Sequence, residues 1–524
     1  MIAILFTFNS EVTVNMQDRI TAILLHISSL PGSYGTGDIG SGFSFVDFLV
    51  KAGVRCWQFL PTCPTSGAFG YSPYMGFSAC AGNPLFVSLN MMASSGFLEE
   101  SDLGPLQSSS EYTADFSYAD AVRQPLFTKA FRRLNGDQRK QFLDFCTVEQ
   151  DWLDEYAVFM VLKEKFAQSA WNNWPKAIAR RDAKELALFT EKNEEAIEFQ
   201  KFCQFLFFDQ WQQLRSYARQ KGVLLFGDMP IYVSHDSSDV WANQSCFDLD
   251  ATSGEPKNVA GVPPDYFSAT GQRWGNPLYL WQKATKANSP LYRWWRQRFH
   301  VLSGMLDMVR IDHFRGFESY WEISAAEKTA INGTWQKGPG QGFFKKMGDV
   351  LTDLEIVAED LGIITPAVEE LRDELGFPGM KILQFAFDSD ADNTYLPHNL
   401  NDPNCLIYTG THDNDTAVGW YFDPEVAQRS KDRLRRYANC DGQSIHLDFI
   451  RLALASTARM AVLPMQDVLG FGTDCRMNRP ASVEKNWLWR CAPSYFNDDV
   501  ASFLRQENEF YGRRFFAKSE GEDT

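Results

Sequence analysis

A chain of 524 residues can bury a large core, and its 44% hydrophobic and 14% aromatic content excludes a disordered or fibrous protein. The formal net charge of −16 argues against nucleic acid and anionic membrane surfaces as partners, since both need a basic face, and favours a neutral substrate. The ten cysteines are scattered with no Cys-x-x-Cys pair and no His at zinc-ligand spacing, the pattern of reduced thiols in a cytoplasmic protein without a structural metal.

The first apolar stretch, residues 1–8, lacks a basic flank and is broken by Asn9, Ser10 and Glu11, so residues 1–18 read as an N-terminal extension rather than a signal peptide. Residues 20–26 and 56–60 read as strands on either side of a turn-rich loop and a helix, the rhythm of a parallel α/β fold. The long loop 61–82 carries Phe69, Tyr71, Tyr74 and Phe77, rings that suit sugar stacking or loop packing equally. Residues 98–221 then break the strand rhythm and predict a mainly helical insertion. Within it, Thr147-Val-Glu-Gln150 has the pattern of a capping box, and a long helix over 193–221 stops at Gly222.

Strand character returns at 223–226 and runs into Gly227-Asp228-Met229-Pro230, with Asp228 on the same face as Leu224 and Phe226. Residues 235–285 read as a substrate loop. Its stretch 261–277 is stiffened by Pro263-Pro264, turned by Gly271 and Gly275, and presents Asp265, Tyr266 and Trp274. A helix near 291–302 leads to a strand over 306–311 that ends in a cluster of ionisable groups, and alternation puts Arg310 and Asp312 side by side. That pairing favours the Asp312 anion, a nucleophile for an electrophilic carbon. On the next strand, 355–359, Val357 and Glu359 share a face. A helix follows over 365–376, then strands at 381–385, at 405–409 running into Thr411-His412-Asp413-Asn414-Asp415, and at 461–463. Residues 511–524 read as a C-terminal tail.

Eight strands, four of them ending in Asp228, Asp312, Glu359 and Asp413, predict an α/β protein of the (β/α)8 TIM-barrel class. Residues 19–510 would form its single catalytic domain. Three readings of the acids stand on spacing alone: metal-assisted catalysis, glycosyl transfer by paired carboxylates, or a carbohydrate-binding barrel without catalysis. Arg310 beside Asp312 argues against a metal at that point.

Seven ordered blocks, spanning about residues 22–490, narrow these readings. Gly-Asp-Met-Pro-Ile-Tyr-Val (227–233), Arg-Ile-Asp-His-Phe-Arg-Gly (310–316), Ala-Glu-Asp-Leu-Gly (358–362) and Thr-His-Asp-Asn-Asp (411–415) resemble the conserved regions of the α-amylase superfamily. Together with Gly-Val-Pro-Pro-Asp-Tyr-Phe-Ser, Arg-Trp-Gly-Asn-Pro and Arg476-Met477-Asn478, their wording is similar to the 4-α-glucanotransferases of glycoside hydrolase family 77. The resemblance implies a retaining transglycosylase without metal or cofactor, acting on α-1,4-glucans (maltooligosaccharides, glycogen or starch chains) and glucose. The alternatives are an α-amylase-type hydrolase or an inactive glucan-binding barrel.

Carried over by position, the resemblance implies Asp312 as nucleophile, Glu359 as general acid/base and Asp413 as the third carboxylate. Arg310 would hold Asp312 ionised, His412 and Asp228 would bind hydroxyls of the cleaved sugar, and Tyr74 would lie close to the same sugar. Tyr266, Trp274 and Asn276 fall in a loop lining the acceptor side, and Asp265, His313 and Asn478 complete the substrate-binding set. Glu359 lacks an adjacent cation in sequence, so its pKa can rise enough to donate a proton. The loop 66–75 departs from the family pattern, with Phe69 near the usual Tyr, Tyr71 for Asp and Met75 for Gln, and Ala481 stands where Gly is usual. These changes bear on donor-chain preference and on any second glucan site on that loop.

Overall fold

The computed structural model describes residues 19–104, 110–264, 268–284, 286–480, 482 and 484–513. Its strands in chain order are β1 (Ile20–Leu24), β2 (Cys56–Gln58), β3 (Leu224–Pro230), β4 (Asn258–Val262), β5 (Gln272–Pro277) and β6 (Met308–Asp312), followed by β7 (Ser319–Ser324), β8 (Gly333–Lys337), β9 (Glu355–Ala358), β10 (Gly379–Ile382), β11 (Cys405–Tyr408) and β12 (Met460–Pro464). Eight of them form one parallel sheet in the order β10-β11-β12-β1-β2-β3-β6-β9. Its two ends meet where the Ala358 N–H donates to the Pro378 carbonyl at 2.9 Å. The result is the expected (β/α)8 barrel. Apolar runs such as Met-Ala-Val-Leu-Pro in β12 are buried throughout, as a strand covered on both faces requires.

The sixth barrel strand starts two residues earlier than the apolar run suggests, at Gly379, because Asp360 packs against that glycine and accepts the Met380 N–H at 2.7 Å. Leu383–Phe385, read as strand, is a 3-10 turn.

Between β2 and β3 the chain is helical, including Phe116–Arg132, Gly136–Val148, Gln150–Lys165 and Glu194–Gln220. The capping box predicted at Thr147 is absent. Thr147 lies inside the preceding helix, its hydroxyl donating to the Leu143 carbonyl at 2.9 Å, and a reciprocal box forms instead at Asn135 and Gln138. The long helix Glu194–Gln220 is as expected, with Ile197, Phe202, Phe205, Phe208 and Trp211 buried and Gly222 left-handed behind it.

A second, antiparallel sheet, β5-β4-β7-β8, was not foreseen; the stretch 261–277 was read only as loop. Its strands are short, with Gly261 inside β4, Gly275 inside β5 and Gly271 just ahead of β5, and β4 pairs with the sequence-distant β7, so no local alternation marks it. No helix among the described residues is long and apolar enough to cross a membrane.

Candidate active site

The parallel register sets Asp228 of β3 beside Arg310 of β6, and β9 lies along the other side of β6, leading to Glu359. From this position the buried Arg310 guanidinium reaches two carboxylates: Nη1 donates to Asp228 Oδ2 at 2.5 Å and Nη2 to Asp312 Oδ1 at 2.6 Å. Asp228 Oδ2 also accepts the Tyr74 hydroxyl at 2.6 Å, which brings the loop after β2 into the site. Burial opposes the Arg310 charge, but the fields of Asp228 and Asp312 outweigh it and raise its pKa further.

His313 leaves β6 in the left-handed conformation, φ 56°, strained for a residue with a side chain. That turn aims its N–H at Glu359 Oε2, 2.7 Å away, while the Leu361 N–H donates to Oε1 at 2.9 Å. Both Glu359 oxygens are thereby held by backbone. Burial raises the Glu359 pKa against the pull of Arg310 and these two N–H groups. Glu359 has no cation beside it in sequence and its pKa does rise, as the sequence suggests; Arg310 still acts on it across the strands, and burial prevails.

For Asp312, burial and the neighbouring Asp228, Glu359 and Asp413 push upward against Arg310. Arg310 alone does not decide its charge, contrary to the sequence reading. Asp312 and Glu359 titrate as a pair, each affected by the other's charge. Burial, with Arg315 adding to it, lowers the His313 pKa to about 3, so its ring is neutral; it meets Trp274 edge-on at 4.8 Å.

Across the mouth, Asn478 Nδ2 donates to Asp413 Oδ1 at 2.6 Å, and the Asn478 N–H donates to the His412 carbonyl at 3.1 Å. Arg476 fastens the same turn, donating to the Asp413 carbonyl at 2.5 Å and to the Asn478 carbonyl at 2.7 Å. His412 Nε2 lies 3.3 Å from Asp413, yet burial outweighs that carboxylate and keeps the His412 pKa low. The His412 ring stacks on Tyr74 with centroids 5.2 Å apart and planes 13° from parallel. Trp487, which sequence reasoning passed over, completes this aromatic wall at 5.8 Å from Tyr74 and 6.1 Å from His412. Its closeness in sequence to Arg476-Met-Asn478 was the one available signal; its φ of 67° was invisible.

Other expected residues lie further from this cluster or are engaged elsewhere. Asn276 is buried on β5, its amide donating to the Val233 carbonyl at 2.9 Å, so it braces the chain. Trp274 on the same strand leans on Tyr232 and meets the site at His313. Tyr71 stacks on Phe116 at 4.5 Å and Phe69 meets Phe77 at 6.4 Å, which places both rings in loop packing. Asp265 and Tyr266 lie outside the described residues.

A family model described as 4-alpha-glucanotransferase, glycoside hydrolase family 77, matches residues 25–495. The chain belongs to this family. The 4-alpha-glucanotransferase of Synechocystis sp. is 46% identical over 508 residues, covering 96% of this chain and 99% of that protein. That of Thermus thermophilus is 42% identical over 499 residues, covering 93% and 97% respectively. Among solved structures, an amylomaltase from Streptococcus agalactiae in complex with acarbose superposes with a TM-score of 0.90 at 36% identity, covering 95% of this chain and all of that one. The chain is thus a glucan-transferring enzyme of the 4-α-glucanotransferase family, built on that family's barrel.

Proposed function

We propose that the enzyme moves α-1,4-glucan segments by two displacements at Asp312. In the first, an Asp312 oxygen bonds to the anomeric carbon of the donor while the glycosidic C–O bond breaks, and Glu359 gives its proton to the departing oxygen. Glucose or a shorter glucan leaves, and a β-linked glycosyl ester remains on Asp312. In the second, the 4-hydroxyl of an acceptor glucan or glucose bonds to the same carbon, Glu359 takes its proton, and the ester bond to Asp312 breaks. Two inversions restore the α-configuration.

The observation that carries this reading is the unequal treatment of two neighbouring carboxyls. Asp312 is hydrogen-bonded by the Arg310 guanidinium, whereas among the described residues the Glu359 carboxyl is hydrogen-bonded by two neutral backbone N–H groups. Of the pair, Asp312 is the better place for the negative charge and Glu359 for the proton. Asp413, oriented by Asn478, and His412, stacked on Tyr74, are suited to grip hydroxyls of the cleaved sugar, with Asp228 behind them. The acarbose complex of the Streptococcus agalactiae amylomaltase supports oligomeric α-glucans as the substrate class. Trp274 and His313 would border the acceptor side, and Asp265 and Tyr266 belong to the same proposed surface. Residues 19–510 would act as one catalytic domain. Ten unpaired cysteines support a cytoplasmic setting, and the net charge of −16 supports independence from nucleic acid and membrane.

Maltotriose incubated with wild type and Asp312→Ala, without added metal, tests the proposal. Wild type gives glucose and a ladder of longer oligosaccharides at constant total reducing ends. Asp312→Ala lowers the rate by at least about 10³-fold. Rising reducing ends would mean a hydrolase, and a mutant of full activity would remove Asp312 from its role.

A further inference from the structure

Trp335 sits on β8, the edge strand of the antiparallel sheet, paired with Trp321 of β7 at 5.1 Å between ring centroids. The Arg315 guanidinium carbon lies 3.9 Å from the centre of the Trp335 ring, a close cation–π contact. Arg315 is itself held in place: Nη1 donates to the Ile363 carbonyl and Nη2 to Ser319 Oγ at 3.3 Å. One face of the indole is therefore covered by a fixed cation. Even with Arg315 on one face and Trp321 beside it, Trp335 is 40% exposed and Ile363 is 49% exposed. An immobilised aromatic ring open to water loses little conformational freedom when a ligand covers it, and gains by shedding the water.

The position of this patch points to its occupant. Arg315 hangs from the turn that begins at Asp312 and His313, and Ile363 lies on the loop whose Leu361 N–H holds Glu359. The cation that fixes the ring thus lies within the field of Glu359, on the side where the proposed mechanism has the leaving group depart and the acceptor arrive. A sugar chain offers flat C–H faces to a ring and hydroxyls to the polar edge around it.

We propose that Trp335, with Ile363 beside it and Arg315 fixing its ring, is a stacking platform for an acceptor α-1,4-glucan at sugars remote from the bond being formed. This rests on the glucan-transfer reading above and extends it to acceptor length. A platform at remote sugars serves a long acceptor and leaves glucose untouched.

The test fixes amylose as saturating donor and compares glucose with maltohexaose as acceptor for wild type, Trp335→Leu and Trp335→Phe. Leu keeps apolar bulk but removes the flat ring, and Phe retains a ring. The ratio of acceptor kcat/KM, maltohexaose over glucose, falls about tenfold in Trp335→Leu and less than about threefold in Trp335→Phe. An unchanged ratio in Trp335→Leu overturns the platform. So does an equal fall for both acceptors, which marks a structural role, or a changed oligomeric state at an unchanged ratio, which marks a protein interface. Should Trp335→Leu not fold, Ile363→Asn reads the same ratio from the facing loop. Wild type that transfers to neither acceptor would instead defeat the glucan-transfer reading itself.

Discussion

Arg310 is set among Asp228, Asp312 and Glu359, and the carboxyl pair that does the proposed chemistry is pushed above the ordinary carboxylate range of about 4 because burial outweighs that cation. The sign of the pH dependence follows. On the proposed mechanism activity needs Asp312 ionised, so it rises as pH climbs through the lower of the pair's two steps, and it needs Glu359 protonated, so it falls through the upper step. kcat/KM for maltotriose is expected to be bell-shaped with both limbs displaced upward from that range. In Glu359→Gln assayed with a glucosyl fluoride, whose leaving group needs no proton, the alkaline limb disappears. An alkaline limb that persists would assign the proton to another group. Arg310 beside Asp312 was legible in the sequence because a period of two forces them onto one face. The Tyr74 bond to Asp228, the strained turn at His313 and the contribution of Trp487 were not, since each depends on which loops fold over the barrel mouth.

At the scale of elements, the long helix Glu194–Gln220 positions the loop that carries Tyr74. Gln204 accepts the Gly82 N–H at 2.8 Å and donates to the Gly82 carbonyl at 2.9 Å, and Gln210 treats Ser88 in the same way at 2.7 and 2.9 Å. Each buried amide thus satisfies both backbone groups of one loop residue. Gln204→Ala leaves the Gly82 pair unmet and is expected to destabilise the protein by about 2–4 kcal/mol, read as a lower denaturation midpoint at unchanged slope. A change under about 0.5 kcal/mol would mean that water replaces the amide at little cost. The helix itself was readable from its apolar stripe and terminal glycine, and so were the buried parallel strands. The antiparallel sheet was not, because its two hairpins are short and glycine-containing and the pairing of β4 with β7 that joins them spans segments far apart in sequence. The false capping box at Thr147 has a similar lesson: the pattern was present, but the hydroxyl had a carbonyl four residues back to bond to.

Across the whole molecule, the barrel turns four distant sequence segments into one site by ending β3, β6, β9 and β11 at a common mouth. The two ends of the described residues are tied below it. Buried Arg513 donates to the carbonyls of Ile20, Ala453, Leu454, Ser456 and Ala458, joining the segment after the helix Asp498–Phe510 to β1 and to the approach to β12. That closed scaffold lets a guanidinium and four carboxylates be held in fixed relation, which transfer through a covalent intermediate requires. Trapping that intermediate is the most direct test. Glu359→Gln is mixed with a glucosyl fluoride, quenched in acid, digested and examined by peptide mass spectrometry. A glucosyl adduct on the peptide containing Asp312, absent from the Glu359→Gln/Asp312→Ala double variant, is the predicted result. Donor turnover with no adduct, or an adduct on another carboxylate, would contradict the assignment of Asp312 as the residue that carries the sugar.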